Sequence, residues 1–458
     1  MRECRGVVAA LLWASLLGLA GQAAAQPAVV FEEVNVIPMD RERVVERQTV
    51  VVRDGRIAEI GPAGKVKPPQ EALRVAGRGK YLMPGFGEMH GHLPGPNAPP
   101  PVVESILFLF VANGVTTVRG MLGGASNLQM RDRIAAGSLL GPALFVAGPA
   151  FSGAAVTSAE AGARMVREQK AAGYDLLKIQ EGLRRDVYDA VAASALEAGI
   201  RFGGHVPNDV GLHRALEARQ SSIDHLDNFV DALEADSSPL RGADPATRAQ
   251  QLIFHIDEGK IPALAAAASK AGAWVVPTMA LWEVFSADQT GESLAAGRPE
   301  LRYMPAQTVA QWVKQKNAMR EKNPDPKAGA RLIEVRRKIL RGVRDGGVKI
   351  MFGTDAPQLF SVPGFSIHHE MQILVACGLT PWEVMAAGTR NVAEYLGAEK
   401  EFGSVAPGRR ADLVLLDANP LENVSHFARR AGVMVRGRWL PEREIQKRLE
   451  QIAEAARS

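Results

Sequence analysis

Cysteine is almost absent: Cys4 and Cys377 are the two in 458 residues. Cys4 falls in a leader-like start, which leaves Cys377 alone, so no intramolecular disulfide can hold the fold. An apolar core must do so instead, and 47% hydrophobic against 23% charged residues is an ordinary globular composition, not a disordered one. An excess of one charge is missing too. The 54 Lys and Arg nearly balance 50 Asp and Glu, and no stretch forms a basic stripe with interleaved aromatics, which excludes a nucleic-acid surface. The chain also lacks GxGxxG, a GxxxxGK followed by Ser or Thr, and GxSxG, so it offers neither a dinucleotide or phosphate loop nor a serine elbow. HHEMQ at 368–372 is not followed by the histidine that a zincin helix needs, and Cys377 sits in apolar helical sequence, a poor place for a thiol nucleophile. There is no internal repeat or low-complexity tract.

The one long hydrophobic run is at the start. MRECRGVVAALLWASLLGLAGQAAAQ combines basic Arg2 and Arg5, an apolar stretch from Val7 to Ala20, and small residues at Ala23-Ala24-Ala25. This is the plan of a cleavable secretory signal. The apolar run is shorter than the roughly 20 residues a membrane span needs, which disfavours an uncleaved anchor. Residues 1–25 are therefore read as a signal peptide, with an exported, periplasmic or extracellular mature chain.

After the leader, AVVFEEVNVIP, RQTVVVRDGRIAEIG and ALRVAGRGKYLMPG alternate in hydrophobicity around an Asp54-Gly55 turn and read as β-hairpins. From Pro84 the rhythm becomes apolar strand, loop, helix. The segment ending in MHGH, then GVTTVRG, PALFVAGP, YDLLKIQ, IRFGGHVP, SSIDHLD, AWVVPTM and VKIMFGTDAP, make eight strands with helical sequence between them. That alternation predicts an α/β fold, a TIM-type (β/α)8 barrel over 83–402. RRADLVLLDANP and AGVMVRGRWL return to strands after Gly403, so 26–82 and 403–458 are expected to share a small β-sandwich-like domain, with a C-terminal helix. Trp282 to Asp345 reads as a long charged helical insertion that shapes the barrel mouth.

Chemistry-bearing residues cluster at the strand ends. His90 and His92 follow the first strand, Lys178 lies in the fourth, and His205, His225 and Asp355 follow the fifth, sixth and eighth. In a barrel those ends meet at one mouth. The other five of nine histidines, His213, His255, His368, His369 and His426, fall in helix or loop sequence and read as surface or satisfied side chains. Imidazoles with a carboxylate suit zinc and related divalent ions. A metal lowers the pKa of its water from 15.7 toward about 7, and a pair can hold one hydroxide while polarising a carbonyl. A pair needs a bridge. Protonated lysine cannot ligate, but Lys178 carbamylated by CO2 would be a carboxylate on a long arm.

This set, HxH after a PG strand, lysine on strand four, single histidines on strands five and six and GTD on strand eight, resembles the amidohydrolase superfamily. The branch it is most similar to holds imidazolonepropionase-related and Xaa-Pro dipeptidase-like metal amidohydrolases. The resemblance covers essentially all of the mature chain, including GLTPWEVMAAGTRNVAEYLG and GSVAPGRRADLVLLDANP. It implies that His90, His92 and Asp355 bind one metal, and that carbamylated Lys178 bridges to a second completed by His205 and His225. It also implies that Asp355 is the catalytic group that takes a proton from the attacking water and passes it to the leaving nitrogen. Two features depart from the family pattern. Glu88 stands where Asp is usual two before the first histidine, and Arg119 closes strand two in VRG where the family often reads RD. Arg119 is read either as a partner for a substrate carboxylate or as a structural arginine of the barrel.

The resulting expectation is an exported hydrolase with two divalent metal ions, zinc foremost, and a CO2-derived carbamate on Lys178. It would cleave amide bonds in small dipeptide-like or N-acyl amino acid substrates. Cyclic amides, lactones or other esters, and phosphotriesters are open to the same chemistry, and a non-catalytic metal-dependent binding protein is the reading from another class. No stable membrane anchor is expected after cleavage, and assembly into homo-oligomers is left open. N-terminal sequencing of the exported protein should find Gln26 first; a mature chain that keeps Leu11 to Leu19 overturns the signal reading.

Overall fold

The computed structural model describes residues 27–322 and 325–457. The leader, residues 1–25, lies outside the described residues, and among those described no helix is long and apolar enough to cross a membrane. Near the start, Val29–Val36 (β1) pairs antiparallel with Val45–Arg53 (β2), which turns back onto Arg56–Pro62 (β3). Asp54 and Gly55 both take positive φ, 51° and 73°. That is the hand of two-residue turn that matches the twist of a hairpin, and Asp-Gly adopts it at low cost. Leu73–Ala76 (β4) and Tyr81–Pro84 (β5) then lie parallel to β1.

The next eight strands are parallel. Phe86–Gly91 (β6), Val115–Gly120 (β7) and Ala143–Val146 (β8) form one sheet. Leu176–Ile179 (β9), Arg201–Gly204 (β10), Ser222–Asp224 (β11), Trp274–Val276 (β12) and Lys349–Ile350 (β13) form a second. Both junctions between the sheets carry contacts. Ala147 bridges Leu176 and Phe151 bridges Ile179 in parallel. On the other side the Met89 amide donates to the Phe352 carbonyl and the His92 amide to the Ala356 carbonyl, each at 2.8 Å. Every residue of β6, β7, β9 and β11 is buried, as parallel strands covered by helices on their outer face require.

Strand β13 ends at Ile350, shorter than VKIMFGTDAP implied, although Met351 and Phe352 still bond to the neighbouring strands. Gly353 accounts for part of this. A Cβ there would lie 2.5 Å from Val276 Cγ1 and 2.9 Å from the His90 nitrogen, so the chain passes too close to β6 and β12 for any side chain. The sequence read as a single insertion also divides. Helix Gly291–Ala296 packs on Ala306–Lys322, whose Lys316, Met319 and Arg320 line a cavity shared with Leu226 and Asp227 just past β11. Pro326–Asp345, with Val335, Ile339, Leu340 and Val343 buried, packs on Ile261–Ala271 as the ordinary covering helix before β13.

Leu413–Leu416 (β14), Arg430–Val435 (β15) and Arg438–Pro441 (β16) bring the chain back to its start. β14 pairs antiparallel with β5, Leu413 opposite Pro84 and Leu416 opposite Tyr81. The order β16-β15-β14-β5-β1-β2-β3, with β4 on β1, is one sheet drawn from both ends of the chain. The closing helix Glu442–Ala455 buries Ile445, Leu449 and Ile452, a stripe at helical spacing. Cys377 is buried, and burial pushes its thiol up to about 12, so it is an inert core residue.

Phe86 fastens the parts together. Its ring meets Phe352 edge-on at 4.8 Å and Phe427, beside the end-to-end sheet, at 5.1 Å. Phe86→Ala should destabilise the protein by about 3–5 kcal/mol. A urea titration that shows an unchanged midpoint would refute this coupling.

Candidate metal centre

Each predicted ligand leaves the C-terminal end of its strand. His90 is in β6 and His92 one residue past it, Lys178 is in β9, and His205 and His225 directly follow β10 and β11. Asp355 follows the close approach at Gly353. The structure brings all six together. The His90 ring centroid lies 5.6 Å from that of His92, 4.3 Å from His225 and 6.4 Å from His205, and the His205 and His225 rings stack at 4.6 Å. Lys178 Nζ is 3.1 Å from His90 Nε2, and His92 Nε2 is 2.6 Å from Asp355 Oδ1.

Potential ligand atoms fall into two groups, His90 with His225 and Asp355, and Glu181 with His205 and Asp227, those in each group lying within 4.8 Å of one another. The expected division put His225 with His205. Its ring touches both sides, stacked on His205 at 4.6 Å with Nδ1 3.7 Å from Asp355 Oδ2, while Asp227 Oδ2 lies 2.7 Å from His205 Nδ1. Neither Asp227 nor Glu181 stood out in sequence, although DHLD carries a carboxylate on both sides of His225.

The donor set fits a divalent ion. His225 Nε2 is buried with no hydrogen-bond partner, while its Nδ1 is 2.8 Å from Thr278 Oγ1. A buried ring nitrogen left bare on one side and anchored on the other is what a ligating imidazole needs. Burial first, then neighbouring positive charge, pushes His90 and His225 well below the ordinary histidine range, so both are neutral, the state that binds metal. Burial also lowers the Lys178 ammonium, against the pull of Asp224 and Asp355.

Asp224 is the buried residue that sequence reasoning missed. His90 Nδ1 donates to its Oδ2 at 2.6 Å, which fixes the tautomer and turns Nε2 toward Lys178 and Asp355. Burial would raise the Asp224 carboxyl, but Arg119 and then Lys178 outweigh it and keep it ionised. Arg119 must be reassigned. Its side chain is 0% exposed and its guanidinium donates to Asp224 Oδ2 at 2.8 Å, Ser222 Oγ at 2.9 Å, Tyr395 OH at 3.3 Å and the Met89 carbonyl. No face remains for a substrate carboxylate, so Arg119 is a structural arginine that holds Asp224.

Glu88 plays a similar supporting part. It accepts from the His90 and Thr354 amides at 2.9 Å and from Thr354 Oγ1 at 2.6 Å, tying β6 to the residue before Asp355. The longer arm relative to Asp is thus fully engaged. Burial pushes its carboxyl up to about 7. Farther out, Glu370 accepts from the Met279 and Ala280 amides and fixes the turn that carries Thr278.

The backbone is strained where these side chains leave it. His225, Thr278 and Asp355 have φ of 63°, 45° and 64°. Left-handed conformations cost non-glycine residues roughly 1–3 kcal/mol each, most for a β-branched one, and persist where surrounding structure enforces them.

Comparison with known proteins places this geometry in context. The family model described as "Amidohydrolase family" matches residues 81–440. Adenine deaminase 3 of Rhizobium meliloti (strain 1021) is 39% identical over 74 residues, 16% of this chain and 11% of that protein. Imidazolonepropionase of Shouchella clausii (strain KSM-K16) is 37% identical over 83 residues, 17% of each. These matches span less than a fifth of either relative. Among solved structures, a Xaa-Pro dipeptidase with bound methionine in the active site superposes with a TM-score of 0.67 over 90% of this chain and 100% of that one, at 19% identity, a likeness of fold.

Thr278 supplies a test of the centre. Thr278→Val removes the group at His225 Nδ1 with little change of shape, and should weaken metal affinity about 10–100-fold, whereas Thr278→Ser should retain it. Equilibrium dialysis against a competing chelator measures this, and equal affinities for all three proteins would show that His225 needs no such support.

Proposed function

Because the chain belongs to the amidohydrolase family, as its match across residues 81–440 establishes, we propose that it is a metal-dependent hydrolase of amide carbon–nitrogen bonds. Its substrates on this reading are dipeptide-like or N-acyl amino acids. The observation that carries the proposal is the meeting of four imidazoles, Asp355 and a buried lysine at one cluster of strand ends, with the buried Nε2 of His225 left without a partner. We read the two parallel sheets as one TIM-type (β/α)8 ring, supported by the contacts at both junctions, and the sheet drawn from both chain ends as the β-sandwich-like flanking domain. The leader at residues 1–25 supports export.

His90, His92 and Asp355 would hold one divalent ion, and His205 and His225 a second, with a carbamate on Lys178 between them and zinc the leading candidate. When bound, such a pair supplies Lewis acidity, which lowers the pKa of water and polarises the scissile carbonyl. The carbamate requires a neutral amine, which adds to CO2 with formation of an N–C bond and loss of one proton. Burial of Lys178 favours that amine. Asp355, almost fully buried, is the carboxylate of the set that would accept a proton from attacking water and return it to the departing nitrogen. Asp224 keeps His90 in one tautomer throughout.

Two variants separate these roles. Lys178→Ala should lose most bound metal and activity, with partial recovery on adding a short carboxylic acid, and Lys178→Arg should fail as well because a guanidinium cannot be carbamylated. Elemental analysis and turnover near wild type in Lys178→Ala would exclude the bridge. Asp355→Asn should keep part of its metal while turnover falls by roughly 10²–10⁴. Activity that tracks metal occupancy one for one would make Asp355 a ligand without a proton-transfer role.

A further inference from the structure

A cavity of about 1030 Å3 opens beside the candidate centre, and Glu181 and Asp227 form part of its lining. Leu226, Ile253, Phe285 and Met319 supply apolar surface. Its cations are mostly spoken for. Arg248 pairs with Glu234 at 2.9 Å, Arg320 pairs with Asp288 at 2.9 Å, and Lys316 donates to the carbonyls of Phe285 and Ala287.

Arg336 is different. It is 2% exposed, yet it makes no ion pair among the described residues. Asp227 and Glu370 act on it from outside ion-pair contact. One Nη2 donates to the His225 carbonyl, its guanidinium carbon lies 3.8 Å from the centre of the Trp282 ring, and its Nε is buried without a partner. Trp282 Nε1 is also buried and unpartnered. A buried cation and an indole N–H with unused donors are costly unless something completes them. A planar carboxylate does so well, because a guanidinium offers it parallel donors.

We propose that Arg336 anchors the free α-carboxylate of the substrate's leaving amino acid, while the apolar wall receives that residue's hydrophobic side chain. This rests on the amide-hydrolase reading above and names the substrate class within it. Position favours an α-carboxylate over a distal acid. The contact with the His225 backbone keeps the guanidinium next to the ligand set, and an α-carboxylate is one carbon away from the scissile nitrogen. Arg336 thereby takes the part that the buried network denies to Arg119. A carboxylate held there orients the amide toward the strand ends, so it contributes to turnover as well as to affinity.

The test uses N-acetyl-L-leucine and N-acetyl-L-leucinamide, which differ in that carboxylate. Calorimetry on chelator-treated full-length protein reads binding without turnover or capture of the acid by metal. Wild type should bind the acid roughly tenfold to a hundredfold more tightly than the amide. Arg336→Met should erase the difference, Arg336→Lys should keep part of it, and Arg320→Met, on the same cavity, should leave it intact. Equal affinity of wild type for the two probes, or no binding of the acid, overturns the proposal even if Arg336→Met does not fold. Persistence of the preference in folded Arg336→Met overturns it as well. The metal-loaded enzyme gives the independent arm: binding preference intact but no hydrolysis across a panel of dipeptides and N-acyl amino acids would reject the amide-hydrolase reading and leave the carboxylate site standing.

Discussion

One carboxylate oxygen, Asp224 Oδ2, accepts from the Arg119 guanidinium at 2.8 Å and from His90 Nδ1 at 2.6 Å, with all three side chains almost fully buried. Neither charge could remain there alone, since breaking one partner of such a pair leaves an uncompensated ion in a medium that solvates it poorly. The arrangement therefore ties three strands together, and removing one partner would leave the other buried and uncompensated. Arg119 comes from β7, His90 from β6 and Asp224 from the end of β11. Because Arg119 also donates to Ser222, the first residue of β11, and to Tyr395, the same cation reaches from the ligand set toward the opposite ends of the strands and the helix Arg390–Leu396. The direction in which His90 presents Nε2 follows from this network.

The centre is held by layers of such contacts. Thr278 steadies His225, Glu370 steadies the turn that carries Thr278, and Glu88 links the His90 backbone to Thr354 beside Asp355. Three of the residues involved, His225, Thr278 and Asp355, occupy left-handed backbone conformations. A chain optimised for stability alone would relax these positions. Their persistence means that the buried hydrogen bonds around them outweigh the local strain.

The helices that wall the cavity do a different job. Ala306–Lys322 and the first turns of Pro326–Asp345 wall a cavity beside the ligand set, whereas the later turns of the second helix are plain core packing. Arg336 lies where those two roles meet, its backbone among Val335 and Ile339 and its guanidinium against Trp282 and the His225 carbonyl. A single helix thus links the stability of the scaffold to the shape and charge of the pocket.

Sequence alone determined what local patterns can encode. Alternation between apolar strands and helical segments located all eight parallel strands, because each buried strand writes its own short apolar run. Asp54-Gly55 marked its hairpin because few other pairs tolerate two positive φ angles. His90, His92, Lys178, His205, His225 and Asp355 were legible because each sits at a strand end, a position that can be counted along the chain. Tertiary structure decided what depends on partners distant in sequence. Nothing in VRG distinguishes an arginine that meets substrate from one that is locked against Asp224, 105 residues away. Asp224, Asp227 and Thr278 look like ordinary strand-end polar residues until the fold sets them beside imidazoles. Arg336 reads as one charge among many in RLIEVRRKIL, and its lack of a counter-ion is a property of the surrounding space, which no local pattern of residues records.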